Sequence, residues 1–466
     1  MKREVASESS RLGKRAIVVG AGLAGLSTAR VLSDYFDEVI ILDRDELPGA
    51  AARRPGVPQG KQPHGLLGGG LQALEKLFPG FRDELVQAGA EPIDAGLDML
   101  WEVPDQEIWP RIRLGWPLLC MSRPLLERTL RRRIERIRNI KVKGGYRVLN
   151  IVSESNAQAA SGVRCQIVDG SQQTLQSDLT VDASGNGSLT VEFLKTTGRR
   201  PPAETKIGVN IHYASALFER SPIWNGYRFA LTLPDAPEES RAGIIVPAEN
   251  NIIHVGLAGR CKDIPPTDAN EFLNYARRLP TLTIFNAIKN AKRLTDIIPF
   301  SFNESRRRHF AQVPDFPRGL LPIGDAICRF NPVYGQGMTV ASLEAEMLFD
   351  LLPTLDGDSL ANLAPAFLTE ADEVITGPWA MSAMTDFVYP ETTGERPPDF
   401  ANRLNFQHAL SRLAVRDVEI YKLLMEVRDV LKPLSALDDA SVVRRVKEEM
   451  ANVSPTKESP SSVLTR

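Results

Sequence analysis

Residues 20–25 read "GAGLAG" and follow directly on the apolar run "RAIVV" of residues 15–19. A Gly-x-Gly-x-x-Gly pattern is weak by itself, so its flanks decide what it is. "KRAIVVG" (14–20) is short, apolar and β-branched, as a buried parallel strand is. "LAGLSTARVLSDYF" (23–36) places Leu23, Leu26, Ala29 and Leu32 at helical spacing. A second apolar strand, "EVIILD", ends on Asp43, 23 positions after Gly20, close to the about 20 at which a ribose-binding acid follows such a turn. The glycines allow a tight turn and close approach of a phosphate, and the helix start offers unpaired N–H groups to it. The stretch is predicted to be a βαβ unit that binds a dinucleotide. Its candidate contacts are Gly20, Gly22, Ala24, Gly25, Asp43 and Arg44. The fingerprint alone does not separate NAD from FAD.

A second segment, "GLLPIGDAICRFNPVYGQGMTVASLEAEMLFDLL" (319–352), decides the cofactor. It reads as a strand ending at Gly324-Asp325, a Pro/Gly loop, and a helix over 338–352 with a strong apolar face. This order resembles the second FAD motif of the glutathione-reductase-type flavoproteins. With "RPGVPQGKQPHGLLGGGLQALEKLFPG" (54–80), "MSRPLLERTLRRRI" (121–134) and "VDASGNGS" (181–188), the chain resembles the single-component flavin monooxygenases typified by para-hydroxybenzoate hydroxylase. It is most similar to their bacterial natural-product epoxidase and hydroxylase branch. The resemblance spans roughly residues 14–400.

The resemblance implies site roles. Asp325, after Gly324, binds a ribityl hydroxyl of FAD. Gly335, Gly337 and Met338 bring a helix N-terminus to the flavin pyrimidine edge, where it favours the negative charge of the reduced ring. Arg123 opens a helix and contacts the FAD phosphates. His64, in "KQPHGLLGGG", falls beside the isoalloxazine ring as the candidate catalytic residue, although a loop histidine bonded to backbone reads the same way. Asp182 is the acid of "VDASGNGS", where many relatives carry Ala-Asp-Gly serving both FAD and NAD(P)H; here Ser184 stands in the place of that Asp. Nicotinamide handling is therefore expected to differ, with NADPH or NADH reducing the flavin directly or through a separate reductase or electron carrier. No second Gly-x-Gly-x-x-Gly follows a strand. Arg128, Arg131 to Arg133 and Arg306 to Arg308 read as solvated faces.

The bulk numbers agree with an enzyme of two or more domains. The chain has 466 residues, 43% hydrophobic and 24% charged, with a formal net charge of −2. Nothing there points to nucleic acid. Cys120, Cys165, Cys261 and Cys328 are far apart, show no metal-ligand spacing, and read as reduced thiols of a cytoplasmic protein. No metal site, signal peptide or membrane span is expected.

The expected fold class is α/β: a glutathione-reductase-type FAD-binding Rossmann domain with an inserted antiparallel-sheet substrate domain and C-terminal helices. The FAD domain takes 14–90, 120–206 and 295–360; the substrate domain, 91–119 and 207–294; a helical region, 361–450. Residues 1–13 and 451–466 are expected to be disordered. "GLDMLWEV", "KIGVNIHYASALF", "YRFALTLP", "RAGIIVPA" and "NIIHVGLAG" are candidate antiparallel strands, the last two joined by an "ENN" hairpin. The stripe of Leu97, Met99, Trp101, Trp109, Trp116, Phe218 and Phe229 suits core, and in this family part of it lines the substrate pocket.

The resemblance implies an FAD monooxygenase that inserts one atom of O2 into an apolar or aromatic small molecule, by hydroxylation or epoxidation through a flavin C4a-hydroperoxide. An FAD reductase or dehydrogenase acting on isoprenoid-like double bonds is the alternative on the same scaffold. A halogenase is disfavoured because the Trp-x-Trp-x-x-Pro signature is absent; "LGWPLL" holds one Trp. A flavin-binding protein without turnover is the remaining reading.

Overall fold

In the computed structural model, which describes residues 11–155, 158–355 and 359–452, the first strand (Gly13–Val19) is the middle of a five-stranded parallel sheet. Its neighbours are Phe36–Leu42 and Leu179–Asp182; Ile140–Lys143 and Leu320–Pro322 form the edges. Val19 lies level with Leu42 on one side and Asp182 on the other, and Asp182 lies level with Pro322. Register alone thus brings "GAGLAG", Asp43, "DASG" and "GDA" to the carboxyl edge of one sheet. Ligands bind at that edge in open parallel sheets. Val18, Val39, Ile41, Val181 and Leu321 are fully buried among helices, so the apolar runs read as strands buried on both faces.

A three-stranded antiparallel meander (Tyr146–Ser153, Ala160–Ile167, Gln172–Gln176) stands against the other face, where Val163 packs on Ile17, Val19, Ile40 and Leu42. The large sheet has seven strands, in the order Cys328–Arg329, Ile298–Arg308, Glu204–Glu219, Ile252–Arg260, Ala242–Ala248, Phe229–Thr232 and Met99–Glu102. The Ala242–Ala248/Ile252–Arg260 hairpin closes through "ENN", with Asn250 and Asn251 at positive φ of 64° and 57°. Asparagine tolerates that region because its short side chain bonds locally.

Two expectations are corrected here. Phe229–Thr232 and Met99–Glu102 pair in parallel, not antiparallel. Ile298–Arg308, assigned to the FAD domain by its position in the sequence, runs in the large sheet between Glu204–Glu219 and Cys328–Arg329. Its edge residues carry too little periodicity to say which sheet they join. At the ends, Gly13 belongs to the first strand, and residues 451–452 close the helix Ala440–Asn452; 1–10 and 453–466 lie outside the described residues.

The C-terminal region contains the helices Ser359–Asp386, Phe400–Arg416, Val418–Arg428 and Ala440–Asn452. The first packs into the core of the parallel sheet through Leu363, Phe367 and Ile375. The others cover one face of the large sheet. There Trp101 stacks on Trp109 at 5.7 Å, Trp109 meets the edge of Tyr421 at 5.2 Å, and Met99 and Phe229 join the same cluster. Phe218 lies in the cluster on the opposite face, against Phe272. Met99, Trp101, Trp109 and Phe229 are buried under the C-terminal helices, and Phe218 under the helix Ala269–Arg277. No helix among the described residues is long and apolar enough to cross a membrane.

Candidate functional site

The six-residue turn is built by steric need at two glycines and by open space at the third. Gly20 has φ +110°, and a Cβ there would collide with the Ala183 carbonyl. A Cβ on Gly25 would collide with the Gly20 carbonyl. Both therefore serve the protein's own packing. A Cβ on Gly22 would meet nothing within 4 Å. Gly22 caps the helix Leu23–Leu32, and no side chain caps that N-terminus. The result is a helix start with no side-chain cap among the described residues and open space at Gly22, the geometry that receives a phosphate.

Asp43 stands at the end of its strand as expected, with 9% exposure. Its Oδ2 accepts from the Ala21 N–H (2.7 Å) and from Arg54 (3.1 Å), and its Oδ1 from the Asp45 N–H (2.9 Å). Arg54, itself buried, also pairs with Glu127 at 2.8 Å, and Glu127 accepts from Arg123 at 2.8 Å. Burial pushes the Glu127 carboxyl up, and the guanidinium groups of Arg123 and Arg54 more than offset this, holding it below the ordinary value. Arg54 and Glu127 were not singled out from the sequence. Arg44 is exposed and outside this network.

The second motif is locked to the first. Gly324 has φ +66°, and a Cβ there would come 2.9 Å from Ala24 Cβ. Its N–H donates to Glu344 Oε2 at 2.6 Å. Asp325 next to it is partly buried, and its carboxylate has no hydrogen bond or ion pair among the described residues. Burial raises its pKa, with Arg329 and Arg123 pulling the other way. Gly335, at φ +69°, caps the helix Gln336–Leu351, which starts two residues before the expected 338. Cβ atoms on Gly335 and Gly337 would meet nothing within 4 Å, and Met338 is partly buried. This helix packs directly on Leu23–Leu32.

Asp182 is corrected. Its Oδ1 accepts from the Ser184 hydroxyl (2.6 Å) and N–H (3.2 Å), and its Oδ2 from the Thr190 hydroxyl (2.7 Å) and N–H (3.0 Å). Two oxygens with four internal donors leave nothing for a cofactor. Asp182 orders the loop and the helix Leu189–Thr196 instead. Arg131, Arg307 and Arg308 are corrected too: all three are buried. Arg308 ties the Ala326 carbonyl (2.8 Å) to that of Gly187 (3.1 Å), joining two motif loops.

His64 Nδ1 bonds the Gln62 carbonyl at 2.7 Å. Burial, aided by the nearby positive Arg123, drives its pKa down to about 4. It is neutral near pH 7, with Nδ1–H donating to the carbonyl, so Nε2 offers a lone pair. Its electrostatic neighbour His254, buried on the large sheet, is pushed down to about 3 by burial and by His64. Gln62 itself accepts from the Ser215 hydroxyl, while its Nε2 is buried without a partner. The strap 61–64 thus lies between the parallel-sheet motifs and the large sheet. The "GGG" that follows is a three-way junction. Cβ atoms on Gly68, Gly69 and Gly70 would run into Trp116, the Val430 carbonyl and Thr339 respectively.

No family model matches this chain. It is 30% identical over 412 residues to Protein Rv3254 of Mycobacterium tuberculosis, covering 82% of each chain. The chain belongs to the family of that mycobacterial protein. It is also 25% identical over 386 residues to squalene epoxidase 1 of Arabidopsis thaliana, covering 76% of this chain and 62% of the plant protein. Among solved structures, p-nitrophenol 4-monooxygenase PnpA from Pseudomonas putida DLL-E4 superposes with a TM-score of 0.63 at 15% identity, over 90% of this chain and 98% of that one. The flavin-dependent brominase Bmp2 does so with 0.64 at 15%, over 94% and 100%. The fold is that of the flavin-dependent monooxygenases and halogenases: a Rossmann-like parallel sheet joined to antiparallel sheets and C-terminal helices.

The residues present fit FAD. Three glycines of the two motifs, Gly22, Gly335 and Gly337, leave space where a side chain could stand. The helices Leu23–Leu32 and Gln336–Leu351 start without a side-chain cap among the described residues. The partly buried Asp325 carboxylate has no hydrogen bond or ion pair among the described residues.

Proposed function

We propose that this chain is an FAD-dependent monooxygenase that transfers one oxygen atom of O2 to an apolar or aromatic small molecule, by hydroxylation or epoxidation. The observation that carries this reading is at the carboxyl edge of the parallel sheet, where a Cβ on Gly22 or Gly335 would meet nothing within 4 Å and the Asp325 carboxylate has no hydrogen bond or ion pair among the described residues. The likeness to an epoxidase in sequence and to a phenol monooxygenase in fold supports it.

FAD, when bound, supplies electron transfer and the activation of O2. The chain's own residues do the rest. The amides at Leu23–Gly25 and the guanidinium of Arg123 take the pyrophosphate, and Asp43 takes a ribose hydroxyl. Asp325 accepts a hydrogen bond from the ribityl chain. The start of Gln336–Leu351 stabilises negative charge at the pyrimidine edge. His64, held neutral, accepts a proton or hydrogen bond at Nε2 beside the reacting centre. The large sheet and the strap 61–64 exclude water. In this reading the FAD domain is built around the parallel sheet, and the large sheet carries substrate specificity. Reduction comes from NADPH or NADH, directly or through a reductase, and the reduced cysteines suit a cytoplasmic enzyme.

The test is purification of the yellow protein, identification of the released cofactor, and a substrate screen under ¹⁸O2. FAD and labelled product are expected. FMN, or product without label, would overturn the reading; unlabelled product with a reduced double bond would favour the reductase alternative.

A further inference from the structure

One buried polar cluster contains none of the residues assigned above to FAD. Asp386, the last residue of the helix Ser359–Asp386, is fully buried. Its Oδ1 accepts from Arg260 (2.5 Å), Asn331 (3.0 Å) and the Tyr334 hydroxyl (2.8 Å), and its Oδ2 is buried without a partner among the described residues. The donors come from separate parts of the fold. Arg260 ends a strand of the large sheet; Asn331 and Tyr334 flank the bend that leads to Gly335 and the helix Gln336–Leu351. The Arg260 guanidinium lies over the Tyr389 ring at 4.5 Å. From the same sheet, the Tyr213 hydroxyl donates to Asn331 Oδ1 at 3.2 Å.

A buried ion pair is a weak source of stability, because desolvation offsets most of the attraction. Apolar side chains could have tied these elements together. What the pair adds is a fixed location for each charge, in surroundings that screen them poorly. That location is against the bend 331–335, on which, in the reading above, the flavin edge rests. We propose that Arg260 and Asp386 form the positioning unit of the flavin loop. Asp386 fixes Asn331 and Tyr334, and its charge cancels the Arg260 guanidinium, so that the cofactor meets the helix N-terminus and not a full buried cation. The proposal rests on the FAD reading.

The experiment measures FAD affinity and the midpoint potential of the bound flavin in the full chain, for wild type and for Asp386→Asn, Arg260→Met and the double variant. Asp386→Asn keeps the shape and an acceptor but unmasks Arg260. The reduction equilibrium should rise about tenfold, an upward shift of about 30 mV for a two-electron couple. Arg260→Met leaves the opposite charge, and the potential should fall. The double variant is neutral and should return to the wild-type value. Tyr334→Phe removes one loop bond without charge; it should weaken FAD about threefold and leave the potential in place. An unmoved potential in both single variants, or an equal shift in the double variant, overturns the proposal while FAD still binds. If Asp386→Asn does not fold, the fall in Arg260→Met and its reversal in the double variant decide. A wild-type chain that takes up no FAD overturns the functional reading and this proposal with it.

Discussion

The backbone N–H of Gly324 donates to Glu344 Oε2 at 2.6 Å, in a place where Glu344 is fully buried and its other oxygen has no partner among the described residues. Burial lifts the carboxyl from the ordinary 4.5 to about 8; the Gly324 N–H lowers it and Asp325 raises it further. The folded chain therefore holds a proton that the unfolded chain releases above about 4.5. The stabilising contribution is complete below about pH 4.5 and is lost as pH rises through about 8. Glu344→Gln keeps the acceptor and cannot ionise. Its melting temperature should gain on wild type by a few degrees between about pH 5 and pH 9. A constant difference across that range would mean that Glu344 is not protonated in the folded state.

Gly22 and Gly25 should separate cofactor binding from folding. Gly22 has extended backbone and open space around its missing Cβ. Gly22→Val should leave the apo chain's stability within about 0.5 kcal/mol and abolish FAD binding. Gly25→Ala forces a methyl group against the Gly20 carbonyl and should cost about 1–3 kcal/mol in the apo chain. Denaturant unfolding and FAD titration of both variants check this; retained FAD affinity in Gly22→Val would remove the turn from the site.

Asp325→Ala should weaken FAD at least tenfold, since a charge-assisted hydrogen bond is worth about 1.5–3 kcal/mol. The apo chain should not lose stability, because the carboxylate has no partner among the described residues and its burial is unfavourable. A fluorescence titration measures the first and a melt the second. An unchanged dissociation constant would make "GDA" a strand-ending turn and nothing more.

The two motifs were legible because glycine sterics and strand–helix periodicity are local. Gly25 is dictated by a contact within its own turn, and Gly20 and Gly324 by the positive φ their turns require. The charge networks were not legible, because their members meet only after folding. Arg54 and Glu127 are 73 positions apart, and Arg260 and Asp386 are 126 apart. Arg131, Arg307 and Arg308 looked like solvated faces because an arginine run carries no sign of which members turn inward. Asp182 was misread for a related reason: its partners, Ser184 and Thr190, are near in sequence, but their hydroxyls could have pointed elsewhere. The aromatic stripe was read as core, but which helices cover it depends on the tertiary path of residues 400–452.

The Ser184 hydroxyl is committed to Asp182 at 2.6 Å, at the place where the family resemblance implies an Asp serving NAD(P)H. Bleaching of bound flavin by NADPH or NADH alone should therefore be slow, and an added flavin reductase should speed it. Stopped-flow absorbance with each nicotinamide, with and without a reductase, measures this. Fast bleaching by either nicotinamide alone, before any substrate is added, would show that Ser184 is immaterial.

Gly69 should reveal how firmly the C-terminal helices hold the strap beside His64. The Gly69 N–H donates to the Asp429 carbonyl at 2.9 Å, and the Trp116 Nε1–H donates to the Asp429 side chain at 2.7 Å. Val430 follows at φ +56°, so the chain leaving Val418–Arg428 turns sharply against the start of the helix Gly68–Leu77. A methyl group on Gly69 would collide with the Val430 carbonyl, a backbone atom that cannot rotate away. Gly69→Ala should therefore destabilise the chain by about 1–3 kcal/mol. Because a Cβ on Gly70 in the same turn would come within 2.9 Å of Thr339 in the helix Gln336–Leu351, the shift should also reach that helix, proposed above to meet FAD, and weaken FAD severalfold. Gln72→Ala, on an exposed position of the same helix, should change neither quantity by more than about 0.5 kcal/mol. Equal stability and equal FAD affinity in Gly69→Ala and Gln72→Ala would mean that the junction is loose and that the C-terminal helices do not brace the site.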